Sequence, residues 1–205
     1  MRFVFCLLVF LLCCVSPARA ADAGTEDALE RIRVRTEAVA TLRCAFTQTT
    51  AIPLFAEPVV SEGRLLFKKP ASLVWEYTAP TAQGLAFSGE KGFRWEEDRN
   101  RRTPFTTATD PVAGLVAAQM LAWVRFDRAW IESRYAIRSE DGDGLSFILT
   151  PKGDDMRAVL ASLSIRFAED GIARSILLRE AGGGSTEIRL RDVVVNGPLD
   201  DREFR

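Results

Sequence analysis

The chain has 205 residues, 27 Lys and Arg against 28 Asp and Glu, and no histidine. The missing histidine excludes imidazole acid–base catalysis, a Cys–His nucleophile and histidine metal ligands. A formal net charge of −1 gives no basic face for nucleic acid.

Phe3 to Val15 is an unbroken apolar run behind Arg2. It is shorter than the ~20 residues that cross a bilayer, and Ala18-Arg19-Ala20 follows it as an A-x-A site. The pattern predicts a signal peptide over 1–20, cleavage before Ala21, and an exported protein with one domain over 21–205. Cleavage removes Arg2 and Arg19, leaving 25 basic against 28 acidic residues and a net charge of −3. It also removes Cys6, Cys13 and Cys14, so Cys44 remains as a lone cysteine and is expected to be a small buried residue. Leu12 before Cys13, and Cys13 before Cys14, do not make a lipobox.

Asp22 to Arg43 reads as one helix, with Thr25 as N-cap and Leu29, Ile32, Val39 and Leu42 at helical spacing. Ala45 to Thr50 begins a sheet, and Ile52 to Val60 is a loop with Pro53 and Pro58. From Ser61 to Glu97 apolar residues alternate in four sets: Leu65 and Phe67; Leu73, Trp75 and Tyr77; Leu85 and Phe87; Phe93 and Trp95. Period two puts each set on one strand face, and the expectation is a meander with all four sets on a single apolar face. Arg99 to Arg102 reads as a polar turn and Thr103 to Asp110 as a loop.

Asp110-Pro111 opens a helix predicted to run to Ala122, with a second short helix at Asp127–Glu132. Leu115, Ala118, Leu121 and Ala122 are expected to share its buried face, with Val112, Val116 and Met120 beside it. Because this segment interrupts the strands, it should lie across the sheet. Strands resume at Tyr135–Ser139, Gly144–Thr150, around Leu163, Ile165 and Phe167, at Ile172–Glu180 and at Ser185–Asn196. The fold class is mainly β with α: a strongly curved antiparallel sheet of roughly ten strands, with an N-terminal helix and a helical insertion lying across the sheet.

Catalytic chemistry has little to stand on, and the expectation is no enzyme and no cofactor. Glu96, Glu97 and Asp98 are adjacent, but successive strand residues face opposite ways. Asp141-Gly142-Asp143 is a fragment of a calcium loop without the rest of it. Gly182-Gly183-Gly184 lacks the helix and Lys-Ser/Thr of a phosphate loop. Apolar area is what the sequence does offer. Two uses of it are open: an ordinary filled core, or a cavity that keeps a lipid chain out of water.

Three segments carry a resemblance: Arg43 to Gln48 (RCAFTQ), Glu62 to Trp75 (EGRLLFKKPASLVW) and Phe147 to Lys152 (FILTPK), with Asp170-Gly171 and the last strand in step. Together they resemble the LolA family of periplasmic outer-membrane lipoprotein carriers across nearly the whole chain. The resemblance implies a curved, incompletely closed antiparallel β-barrel, a half-barrel with a helical lid over a hydrophobic cavity, that serves as a monomeric carrier of acylated lipoproteins, or on the same scaffold of another lipid. Its partners would be an inner-membrane transporter and an outer-membrane acceptor. Acyl chains would lie between sheet and lid, against Leu65, Phe67, Leu73, Trp75, Leu85, Phe87, Phe93, Trp95, Leu115, Ala118 and Leu121. It also implies that the basic residue before Pro70, here Lys69, closes the lid. The family has arginine there, and lysine keeps the charge but loses the planar fork. The family carriers continue past Asp200–Arg205 with a further strand, so the implied transporter contact is the weakest part of the likeness.

Overall fold

The structure, a computed structural model, describes residues 18–140 and 145–204. Helix α1 (Ala18–Glu37) leads into eleven strands: β1 (Thr41–Ala51), β2 (Val59–Lys68), β3 (Ser72–Ala79), β4 (Gln83–Ser88), β5 (Lys91–Glu96), β6 (Arg102–Thr106), β7 (Tyr135–Ser139), β8 (Ser146–Pro151), β9 (Leu160–Phe167), β10 (Ala173–Glu180) and β11 (Ser185–Val195). Helices α2 (Pro111–Val124) and α3 (Arg128–Arg134) join β6 to β7, and the short α4 (Asp154–Arg157) joins β8 to β9. A 3-10 turn, Asp201–Phe204, follows β11.

All strands form one antiparallel sheet in the order β6-β5-β4-β3-β2-β1-β11-β10-β9-β8-β7. It is not closed into a barrel: β6 and β7 are its two edges. The β6–β7 connection must therefore pass from one edge to the other over a face, and α2 and α3 do so. That face, also covered by α1, is called the inner face here.

Directly opposed residues of antiparallel strands share a face. The register sets Cys44, Leu65, Trp75 and Leu85 in one inner row, and Leu42, Phe67, Leu73 and Phe87 in the next. On the other half, Leu190 and Ile188 of β11 continue into Ile176 and Leu178 of β10, Leu163 and Ile165 of β9, and Leu149 and Phe147 of β8. Ala28, Leu29 and Ile32 of α1 and Ile131 of α3 complete the core over β7–β10. Ala117 of α2, with partly buried Met120, Leu121 and Val124, completes it over β1–β4. The β9–β10 turn passes under α1 at Gly171, where φ is +81° and a Cβ would stand 2.7 Å from that of Arg35; only glycine fits.

Several boundaries differ from the sequence reading. The first helix ends at Glu37, not Arg43, and Thr25 lies inside it rather than capping it. Leu42 is a strand residue whose side chain follows the alternation of Cys44 and Phe46; a short apolar repeat at 39 and 42 suits either element, and pairing with β2 and β11 decides. The Arg99–Asp110 region contains an edge strand, β6, held by pairing with β5 despite its polar composition. The signal-peptide expectation falls on 1–20, of which 1–17 lie outside the described residues, as does the Asp141-Gly142-Asp143 turn.

The largest correction concerns Phe93 and Trp95. The β4–β5 hairpin pairs Ser88 with Lys91 and therefore turns on Gly89 and Glu90 alone. An even-numbered turn opposes residues of unlike parity: Phe87 faces Gly92, and Phe93 faces Ala86. Phe93 and Trp95 consequently point to the outer face. The β2–β3 and β3–β4 connections are odd-numbered, so Phe67, Leu73 and Phe87 stay together. On the outer face Phe93 and Trp95 join Leu66, Val74 and Ala86 under Leu199 and Phe204. Gly84 makes room for the indole: a Cβ there would lie 2.5 Å from Trp95 Cζ2.

Candidate functional site

Between the inner face and the helices lies a cavity of about 260 Å³. Its floor is Leu42, Leu65, Leu73 and Trp75 from β1–β3, Ile188 and Leu190 from β11, Ile176 and Leu178 from β10, and Leu163 and Phe167 from β9. Its roof is Val116, Gln119, Met120, Trp123 and Val124 of α2, with Phe126 just beyond. Among the described residues no lining residue is charged; the polar ones are Thr36, Gln119 and Tyr135, besides the indole N–H groups of Trp75 and Trp123. Thr36 is spent on its own helix, donating from Oγ1 to the Ile32 carbonyl at 2.8 Å. Burial pushes the Tyr135 phenol up from its usual value, so it stays neutral. Such a site offers dispersion and removal from water.

Of the predicted lining residues, the structure brings Leu65, Leu73 and Trp75 to the cavity. Phe67 and Phe87 are on the same face but wholly enclosed, and Leu85 packs against their cluster. They support the floor rather than form its surface. On α2 the face differs from the expected one: Ala118 is exposed, Leu121 is half-buried in the β1–β4 core, and Val116, Met120 and Trp123 look into the cavity. The side chain of Leu115 is outside the described residues. A helix apolar on every side gives no periodicity from which to choose a face. The lining residues of β9, β10 and β11 were missed, although the alternation of Leu163, Ile165 and Phe167 carries the same signal as the aromatic meander.

Lys69 does not reach α2. It sits exposed in the β2–β3 turn, and its ammonium donates to the Glu37 carbonyl at the end of α1, where the helix dipole favours a cation. The turn is tied to the same place by the Lys69 N–H, which donates to the Ala40 carbonyl at 2.9 Å. A different pair ties the start of α2 to the sheet. Asp110 caps α2 by accepting from the Ala113 N–H at 3.0 Å, and Arg94 of β5 donates to its other carboxylate oxygen at 3.1 Å. Arg94 is 58% exposed and Asp110 25%, so the pair contributes at most about 1 kcal/mol.

Cys44, beside Leu65 beneath the floor, is buried, and its thiol is pushed up to about 12, chiefly by desolvation. It holds no thiolate at neutral pH and so no nucleophile. Among the described residues no cluster of Cys, Asp and Glu could hold a metal ion.

The family model described as "Outer membrane lipoprotein carrier protein LolA" matches residues 37–205. An outer-membrane lipoprotein carrier protein of Pseudomonas aeruginosa is 27% identical over 205 residues, covering all of this chain and 94% of its own. That of Chromohalobacter salexigens is 27% identical over 148 residues, 70% of this chain; the chain spans 65% of that relative's length. Among solved structures, the lipoprotein LppX of Mycobacterium tuberculosis superposes with a TM-score of 0.51 at 10% identity, covering 87% of this chain and 98% of its own, a likeness of fold alone. With a family match over most of its length and the open sheet under a helical roof, this chain belongs to the LolA family of outer membrane lipoprotein carrier proteins.

Proposed function

We propose that the protein is a periplasmic carrier that takes the acyl chains of lipoproteins into the cavity under α2 and shuttles them from the inner to the outer membrane. The observation that carries this is an apolar, uncharged cavity whose roof is one helical segment spanning the two edges of the sheet. Each methylene moved from water into such a space contributes about 0.8 kcal/mol, so affinity needs no polar recognition and release needs no chemistry. The cavity is slightly smaller than the ~300–1,000 Å³ of ordinary ligand pockets. Several acyl chains enter only if α2 lifts from its packing on the sheet, and the Arg94–Asp110 tie at its start adds little to hold it down. On this reading the protein is not an enzyme, and its cargo comes from an inner-membrane transporter and leaves to an outer-membrane acceptor.

The small volume also favours a second cargo, a single-chain lipid or other amphiphile that fits with the roof closed. Native mass spectrometry separates the two. The protein from Ala21 is mixed with a triacylated lipoprotein and, separately, with lysophospholipid. A one-to-one lipoprotein complex is the expected result. Lysophospholipid binding without lipoprotein binding selects the second cargo, and binding of neither makes the cavity a mere packing defect.

A further inference from the structure

The cavity has a mouth, and beside it stands the most exposed apolar segment among the described residues. Gln119, Tyr135, Leu160 and Leu178 line both the cavity and an open depression that continues past Val159 and Gly182 to the surface. Val159 is 66% exposed. Its carbonyl accepts from the Ala181 N–H at 3.1 Å, which ties it to the β10–β11 turn. That turn in turn adjoins the β1–β2 hairpin: a Cβ on Gly183 would lie 3.9 Å from Pro53 Cγ. The register puts all three on one end of the sheet, with Ala51 opposite Ser185, Ser185 opposite Arg179, and Glu180 opposite Leu160.

The hairpin tip is unlike a loop built for water. Leu54 is 91% exposed and Phe55 62%, and Val59 and Val60 are about half exposed. Val59 and Val60 are successive strand residues, so they present methyl groups to opposite faces. The tip is therefore apolar at its end and on both sides. Between Ala51 and Val60 the sole charge is Glu57, and Pro53 and Pro58 restrict the backbone on either side of the tip.

We propose that this tip, with Val159 beside it, is a membrane-docking finger that seats the cavity mouth on a lipid bilayer. A flat protein partner would cover one side of the hairpin and leave the other wet. The interfacial zone of a bilayer surrounds an inserted tip, and it accepts a short segment whose backbone stays near the headgroup water. Charges at this end of the sheet are mixed: Arg179 opposes Ser185, Glu180 opposes Leu160, and Arg157 pairs with Asp154 on α4, so the attraction is apolar and not electrostatic. The purpose of the finger rests on the carrier reading: an acyl chain leaving the mouth then meets hydrocarbon without crossing bulk water. Its existence does not depend on that reading.

The test is flotation of the protein from Ala21 with vesicles of phosphatidylethanolamine and a minor share of phosphatidylglycerol, at low and high salt. In parallel, a Leu54→Cys variant carries an environment-sensitive dye; buried Cys44 stays unlabelled. Expected are salt-insensitive flotation, a blue shift of the dye on adding vesicles, and at least about a tenfold loss of binding in Leu54→Ser/Phe55→Ser. Near-UV circular dichroism checks that the variant is folded, which its exposed positions favour. No flotation of the parent protein, no dye shift, or equal flotation of the double variant overturns the docking proposal. A triacylated lipopeptide is titrated into both proteins as well. Failure of the parent to bind it, with flotation still dependent on positions 54 and 55, removes the carrier reading and leaves the finger standing.

Discussion

Strands β2 to β4 present two apolar faces, and the two are finished differently. On the outer face Leu66, Val74, Ala86, Phe93 and Trp95 run across the sheet and are sealed by a short clasp, Leu199 to Phe204. Arg99 donates to the Glu203 carbonyl at 2.6 Å and lies over the Trp95 ring, while Arg64 pairs with Glu76 and with Glu203 at 3.3 Å. The inner face carries residues of the same kinds, but helices roof it at a distance, and a cavity stays between. Apolar content therefore does not say whether a face is filled. A clasp that follows the sheet side chain by side chain fills it; two successive helices that cross from edge to edge, α2 and α3, touch it where they can and span the rest.

Substitutions can break or sharpen this contrast. Trp95→Ala removes a packed outer side chain and should cost about 3–5 kcal/mol in urea unfolding. Lipopeptide binding by the folded fraction should not change; a loss of binding there would make the outer face part of the site. Ala86→Leu adds volume where none is free and should cost about 1–3 kcal/mol. Leu190→Phe adds volume on the cavity floor. Its stability should shift by less than about 1.5 kcal/mol, while acyl affinity falls at least about tenfold. Equal stability costs for these last two would mean that the inner face is as full as the outer one. Arg94→Ala should change stability by less than about 1 kcal/mol and speed the exchange of bound cargo, as measured by stopped-flow release of a fluorescent acyl probe. Unaltered release rates would show that this pair does not govern the roof. The smallest effect is expected at Cys44. With its thiol pushed up to about 12, it is neutral at pH 8 and should not react with a thiol reagent until the protein unfolds; rapid reaction in the native protein would reveal opening of the floor.

Much of this architecture is legible in the chain. Strand alternation identified Leu65, Leu73 and Trp75 as neighbours, and the Pro-led apolar helix between strands announced a cover. Other features were not legible for local reasons. Leu42 fits helix and strand spacing equally. The polar strand β6 exists because β5 offers it hydrogen bonds. The resemblance assigned Lys69 to the lid, but the turn that holds it folds back to α1.

What the sequence by itself determined is the class of molecule. Alternating apolar runs dictate a sheet, and the absence of histidine removes the commonest catalytic side chain. What the tertiary structure alone decided is direction and emptiness. Two residues in the Gly89–Glu90 turn send Phe93 and Trp95 to the far face, because parity across a hairpin depends on the turn and not on the strand. The cavity itself belongs to no residue. It is the space left between the helical β6–β7 connection and a sheet that cannot follow it, and only the assembled fold has it.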